Sequence, residues 1–449
     1  MSTIEKHDMT QGKILLPLVS FTIPLVLGNL FQLTYNAADS VIVGKYVGEQ
    51  ALAAVGTSTP IMNIAILLIS GMCMGASVLM SSQYGAKDYD TLSRQISTTM
   101  LAGCGFSVVF SLLMLLLANP VLRLIRVPET AIPEAAAYLR IIFMGLIFTF
   151  MYNFLANTMR ALGDSKTPLY FLVTSAFLNI FGDLFFVVVL RLGVAGSAIA
   201  TVCSEGLCCL LCGIYIKKKI PLLCLGKKWW VFDKSLLGKT VSYGSTSAMQ
   251  QVCLQLGKLI IQSVVNTQGV AVMAAFTAVN RVDDFAYTPQ QNIGHAMTTF
   301  LAQNKGAGHK ERMKKGFQTG LLIELVYSIG LFCVIWGLAP QIMTLFAEDG
   351  DAQVVSLGIS YLHLISWMYI LPGLTNGVQG FFRGIGDLKV TLYSTFMNMF
   401  GRVVAVFVMI RLLQMEFASL AWANMVGWIV MLLFEVPLLV KSMRNGECG

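Results

Sequence analysis

Charge is scarce in this 449-residue chain: 31 Lys and Arg with 23 Asp and Glu make up only 12% of it. A soluble domain carries about twice that share. Too few polar groups remain to cover a water-soluble globule, which excludes a soluble enzyme. Histidine is down to four residues, and no His/Glu metal spacing or nucleophile motif is present. Asp283-Asp284 stands alone without a second Asp-rich motif, so an intramembrane prenyltransferase or phosphatase is disfavoured. Most of the ten cysteines lie inside apolar runs, where Cys packs as a small hydrophobe. Cys209-x-x-Cys212 has a redox or metal spacing but sits mid-span without partner ligands. The net charge of +8 does not indicate nucleic acid, because the basic residues fall mainly in short loops. The polar opening Met1–Lys13 lacks a cleavable signal pattern, so the first apolar run is expected to insert as an internal signal.

Apolar sequence is what abounds. Hydrophobic residues make up 56% of the chain, mean hydropathy is +0.72, and the runs reach the ~20 residues that span a bilayer. Twelve spans are expected, near residues 14–43, 51–82, 96–118, 135–156, 167–190, 194–216, 240–265, 270–302, 317–338, 355–381, 391–412 and 417–440. Placed on alternate sides, 22 of the 31 Lys and Arg fall with the N-terminus and five opposite. That asymmetry predicts an even span count with both termini cytoplasmic. The fold class is an all-α polytopic membrane protein.

The chain is also a duplication. Arg160, Gly163, Asp164 and Lys166 recur as Arg383, Gly386, Asp387 and Lys389, and Tyr138-Leu139 recurs as Tyr361-Leu362, all 223 residues on. Gln83-x-Gly85-Ala86 is answered by Gln303-x-x-Gly306-Ala307, and Asn179 by Asn398. Each copy has six spans, so both enter the membrane in one orientation, as two six-helix bundles related by a pseudo-two-fold along the membrane normal. The lobes are expected at 1–216 and 240–449, joined by a basic cytoplasmic linker, 217–239, with Trp229 and Trp230 as interfacial anchors. Two fused lobes make a monomer sufficient.

Acids inside spans cost roughly 2.5–3.5 kcal/mol each on insertion scales, so each needs a use or a partner. Asp39 closes the first span. Asp183 lies one turn beyond Asn179 on the fifth, and Thr201 lies one turn before Glu205 on the sixth. Two carboxylates with amide and hydroxyl oxygens suit Na⁺ or a proton. Gln32 with Asn36, and Asn153 with Asn157, share faces that read as polar cavity lining. On the eighth span Arg281 reads as neutralising Asp283 or Asp284, leaving one carboxylate to face the cavity. Glu324 and Glu435 read as structural, near span ends. His295 and His363 read as packed, hydrogen-bonded rings. The 24 Met and 27 Phe mostly pack helices, although a Met-rich aromatic wall also suits flat cations.

In order, Pro24…Asp39-Ser-Val-Ile-Val-Gly44, Leu52-Ala-Ala-Val-Gly56, Gln83-x-Gly85-Ala86, Tyr138-Leu-Arg140, Arg160-x-x-Gly163-Asp164 and Gly193-Val-Ala-Gly196 resemble the multidrug and toxic compound extrusion (MATE) family. The resemblance covers nearly the whole chain, and the order of the motifs carries it. It implies no cofactor and no enzyme, but an antiporter of the bacterial cytoplasmic membrane that exports organic cations or other amphipathic compounds by alternating access. The pattern is closer to the DinF-like branch, in which the N-terminal lobe holds the coupling H⁺ or Na⁺. Asp39, Tyr138, Asn179, Asp183 and Thr201 match that site, with Gln32, Asn153 and Asn157 lining the adjoining cavity. The NorM-like branch has acids on its seventh and tenth spans, and here those spans have none. A flippase for lipid-linked saccharides, of the same superfamily, is the alternative; two further helices and a more basic cavity would favour it.

Overall fold

The computed structural model describes residues 8–125, 127–129, 131–220, 230–346, 352–413, 417 and 419–444. Trp229 and the middle of the linker, 221–229, lie outside them. The first half contains α1 (Leu15–Tyr46), α2 (Glu49–Gly85), α3 (Tyr89–Leu124), α4 (Ile132–Met144), α5 (Leu146–Ala161), α6 (Lys166–Asp183) and α7 (Gly193–Lys219). The second contains α8 (Lys234–Val265), α9 (Val270–Gly306), α10 (Lys310–Phe346), α11 (Ala352–Ser366), α12 (Ile370–Gly384), α13 (Leu388–Phe407) and α14 (Ser419–Arg444). Every expected span is present, with α4–α5 and α11–α12 each forming one interrupted span. Among the described residues nine helices are long and apolar enough to cross a membrane, or ten with the bent pair α4–α5 taken as one span. The other two are α8, diluted by Ser, Thr and Gln, and α9, which carries Arg281, Asp283 and Asp284. Leu116, Leu124 and Val270 stay about four-fifths exposed, as lipid-facing side chains do.

Contacts divide the chain into two units, one holding Ile23–Ala248 and the other Met9–Thr22 with Met249–Gly449. The division follows packing rather than the repeat, because it falls inside α1 and α8. In the second unit the Arg312 guanidinium donates to the carbonyls of Met9, Gln11 and Gly12 at 2.7–3.2 Å. In the first, the segment before α8 docks on α3: Ser97 Oγ accepts from Val231 N at 3.0 Å, and Arg94 meets Asp233 at 2.5 Å. The backbone amides of Leu236 and Ser235, with Arg94, hold the partly buried Asp233 carboxyl below the usual carboxylate range. Asp88 caps α3 by accepting from Thr91 N at 3.1 Å, and that bond likewise holds its carboxyl low.

The halves share irregularities. In the first, the fourth span bends 47° at Gly145. In the second, it passes through one tight turn, Trp367–Tyr369. Both fifth spans end in a wide π turn, Leu184–Val189 and Val408–Leu412, of the kind often found at functional sites.

Small residues let backbones approach where no hydrophobic force draws helices together in lipid. A Cβ on Gly75 would lie 2.5 Å from the carbonyl of Tyr243, and one on Gly71 2.5 Å from Ala248 Cα. Here α2 and α8 touch backbone to backbone. Gly75→Leu is therefore expected to lower the melting temperature in detergent by about 3–10 °C. Gly105→Leu, with nothing within 4 Å of its Cβ, should leave it unchanged.

Candidate functional site

The site in the first unit is assembled by close approach of α6 and α7. A Cβ on Gly182 would sit 3.0 Å from Ala200, and one on Gly196 3.0 Å from the Phe186 backbone. With those positions bare, Asn179 Nδ2 reaches Thr201 Oγ1 at 3.2 Å and Thr201 Oγ1 donates to Ser197 O at 3.1 Å. Ser197, fully buried one turn before Thr201, donates to Asp39 Oδ1 at 2.7 Å. The Asp39 carboxyl lies within hydrogen-bonding reach of Asp183, the last residue before the π turn. Asp183 is 0% exposed, and neither of its oxygens is met by a donor among the described residues. Asn179 Oδ1 is buried and unmet in the same way.

Two carboxylates this close in an apolar bundle cannot both stay ionised unless a cation lies between them. The oxygens of Asp39, Asp183 and Asn179 are a hard donor set of the kind that takes Na⁺ or shares a proton. The buried Tyr138 ring lies in the field of both carboxylates, its hydroxyl turned to Met62 Sδ at 3.9 Å.

Beside this cluster lies a small cavity of ≈ 20 Å³, room for about one water, lined by Met62, Ile66, Phe143, Thr149, Thr201 and Glu205, among others. The bend at Gly145 builds it. A Cβ there would lie 2.3 Å from Val202, so only glycine lets the elbow rest on α7. The elbow then delivers Thr149, whose hydroxyl donates to Glu205 Oε2 at 2.5 Å. Tyr35, one turn before Asp39, is bonded to Gln32 and lies in the field of Glu205. Asn153 and Asn157 are partly buried, their amides donating to the Thr149 and Asn153 carbonyls at 2.9 and 2.8 Å. Gln32 is exposed, and the side chain of Asn36 lies outside the described residues.

Sequence reasoning brought together Asp39, Asp183, Asn179, Thr201 and Tyr138, and the structure gathers them in one bundle. It passed over Ser197, although Ser197, Thr201 and Glu205 recur at four-residue steps on one face of α7. It also passed over Thr149, which the bend alone brings to Glu205.

The second unit differs from the expectation in two places. Arg281 is exposed and pairs with neither acid. Instead Lys258 meets Asp284 at 3.3 Å, and Asp283, two residues and so about 200° around the helix from Arg281, turns inward. There it is 4% exposed, accepting from Tyr369 OH at 2.5 Å and Tyr361 OH at 3.4 Å, with Asn424 donating to Tyr361 at 2.8 Å. Glu324 is not near a span end: α10 begins at Lys310, so Glu324 lies deep in the unit at 1% exposure, no donor reaching either oxygen. Glu435, read as structural, is fully buried in the field of the Arg383 guanidinium. His363 packs on Trp336, ring centroids 4.7 Å apart.

Residues 24–185 and 247–409 each match the MatE family. The chain is 32% identical over 392 residues to the "Probable multidrug resistance protein YpnP" of Bacillus subtilis (strain 168), covering 87% of this chain and 86% of that one. To the "Probable multidrug resistance protein NorM" of Thermotoga maritima it is 23% identical over 423 residues, 92% and 89% of the two chains. It superposes with TM-score 0.91 and 22% identity, over 100% of this chain and 99% of the other, on the "Outward-facing conformation of a multidrug resistance MATE family transporter of the MOP superfamily". A MOP superfamily transporter from Pyrococcus furiosus Vc1, described under "Reverse polarity of binding pocket suggests different function", gives 0.90 at 21% identity over 99% of both chains.

A ligand that binds only the folded state stabilises it by about 2.7 kcal/mol at a hundredfold excess over its Kd. Addition of Na⁺ or acidification, whichever supplies the site's cation, is expected to raise the melting temperature of the detergent-solubilised protein by several degrees. Asp183→Asn, which removes one of the two facing carboxylates, should abolish that dependence in a thermal-shift assay while the protein stays folded.

Proposed function

We propose that this chain, which belongs to the MatE family of multidrug efflux transporters, exports cationic amphipathic small molecules in exchange for H⁺ or Na⁺ by alternating access. It is a transporter, not an enzyme, and the coupling cation and the cargo are its substrates. The observation that carries the reading is the Asp39–Asp183 pair: two carboxyls within hydrogen-bonding reach, one of them without a donor to either oxygen.

Each residue then has a physical task. Ser197 fixes Asp39 through Oδ1 and so orients the carboxyl towards Asp183. Asn179 commits an amide hydrogen to Thr201, leaving a carbonyl oxygen for a cation. Tyr138 closes the site on the α4 side as a buried ring. A cation arriving from outside satisfies the acids and cancels their charge, and its departure inward restores that charge for the next turnover. The cycle requires the two repeats, expected at 1–216 and 240–449, to move against each other, with 217–239 as the tether.

Purified protein in proteoliposomes, loaded with ethidium and given a Na⁺ gradient, a pH gradient or neither, tests this. Export is expected under one gradient only, and Asp39→Asn should reduce it at least tenfold without loss of folded protein. Export retained in the variant would remove Asp39 from the coupling site. No export under either gradient would favour the flippase alternative.

A further inference from the structure

Two helices of the second unit keep polar side chains on open faces that the exchange cycle above does not use. On α9, Thr277, Arg281, Asp284 and Gln291 are exposed, and steps of four, three and seven residues place them on one face. Ala275, Val279 and Val282, each two residues before a member of that face and so about 200° round the helix, are buried. On α8, Gln255 and Lys258 are exposed in the same way. Lys258 joins the two faces by meeting Asp284 at 3.3 Å, with both side chains more than half exposed. Arg281 lies eleven residues, about 16 Å, along α9 from Val270. Charges on a lipid-facing surface at such depth are expensive, so these faces border water and not acyl chains. Their charges do not balance. Lys258 and Asp284 answer each other, and the ion pairs among the described residues, Arg94–Asp233, Arg123–Glu129 and Lys258–Asp284, leave Arg281 out.

We infer that Arg281 binds a carboxylate on the cargo, and that the cargo this face selects is an organic cation that also carries a free carboxylate. The inference rests on the transport reading above and narrows its substrate class. A guanidinium offers a planar fork of donors that matches a carboxylate in two parallel bonds, and it stays charged throughout. Among the described residues nothing accepts from that fork on Arg281, so a ligand has the whole of it. An organic cation without an acidic group gains nothing here, because Lys258, Arg281 and Asp284 together leave the face positive. A carboxylate in the same molecule reverses the sign of the encounter. Phe285, one turn beyond Arg281 and 47% exposed, gives the apolar ring of such a compound a surface to lie on. The donor fork and the ring come from one helix, which fixes their separation. Arg281 is therefore a specificity residue of the second unit, apart from the carboxylate pair that the first unit holds.

The test is binding of tetramethylrhodamine and of its methyl ester to the purified full-length protein in detergent, followed by fluorescence anisotropy, for the wild type, Arg281→Gln and Arg281→Lys. The two dyes share one cationic ring system, and only the first has a free carboxylate. Glutamine removes the charge of Arg281, and lysine keeps the charge without the fork. The expected result is a Kd for the free acid at least tenfold higher in Arg281→Gln and partly restored in Arg281→Lys, with the ester changed less than twofold. Arg281→Gln should also keep the stabilisation by Na⁺ or acid that Asp183→Asn loses, which shows that the variant is folded. A Kd for the acid within twofold of wild type in Arg281→Gln overturns the assignment. Phosphatidylglycerol that co-purifies with the wild type and not with that variant would then give Arg281 to a lipid phosphate. Equal weakening of acid and ester also overturns it, because the carboxylate would not be what Arg281 reads. A wild type that exports ethidium but binds neither rhodamine overturns this inference alone. One that binds neither rhodamine and exports no ethidium under either gradient overturns the transport reading with it.

Discussion

Asp39 and Asp183 face each other from α1 and α6 inside a bundle whose walls are apolar, and much else in the first unit exists to hold them there. Two like charges in a medium that screens poorly repel strongly. A chain without means to offset that repulsion would separate the helices. Here the backbone prevents separation: Gly182, Gly196 and Ala200 bring α6 and α7 into van der Waals contact, and the Asn179–Thr201 and Ser197–Asp39 bonds fasten the polar face. The pair is thus kept in proximity by packing, and its electrostatic demand for a cation is what a coupling site needs.

Precision comes from departures from regular helix. Gly145 breaks the fourth span and the π turn after Asp183 rewinds the end of the fifth, each beside a residue that carries the chemistry. In water such breaks are cheap. In lipid a freed backbone group must find a partner inside the protein. Tyr369 in the second unit shows the solution: its carbonyl, exposed by the turn Trp367–Tyr369, accepts from Gln290 Nε2 at 2.8 Å and Ser328 Oγ at 3.3 Å. Polar residues in the core of α9 and α10 thereby stabilise the broken tenth span. That role, more than contact with cargo, accounts for Gln290.

Span number and order were legible because hydropathy and the repeat act over long stretches and survive errors of a few positions. The Asn179/Asp183 and Thr201/Glu205 spacings were legible because an α-helix aligns residues four apart. What was not legible depends on tertiary geometry. Arg281 was read as the partner of Asp283 or Asp284 from sequence proximity, yet the lysine that meets Asp284 comes from another helix. Glu324 was placed too near a span end because α10 extends well beyond its apolar stretch, starting at Lys310. Thr149 and Glu205 lie 56 residues apart and meet only through the Gly145 bend, a feature that one glycine among 40 does not announce.

Duplication gives both halves one scaffold, but the chemistry has diverged at matching positions. Tyr361 stands for Tyr138 and Asn398 for Asn179, but one turn beyond Asn398 the second half has Arg402 where the first has Asp183. A guanidinium is always charged, so this position carries a permanent positive charge in the second unit where the first has a carboxyl. Asp283 lies in the field of that arginine and is satisfied by two tyrosine hydroxyls, so its environment already answers its charge. The asymmetry follows from a single position in the repeat, which holds an acid in the first half and a base in the second. In the proposed exchange, the coupling cation then falls to the half that has no base at this position.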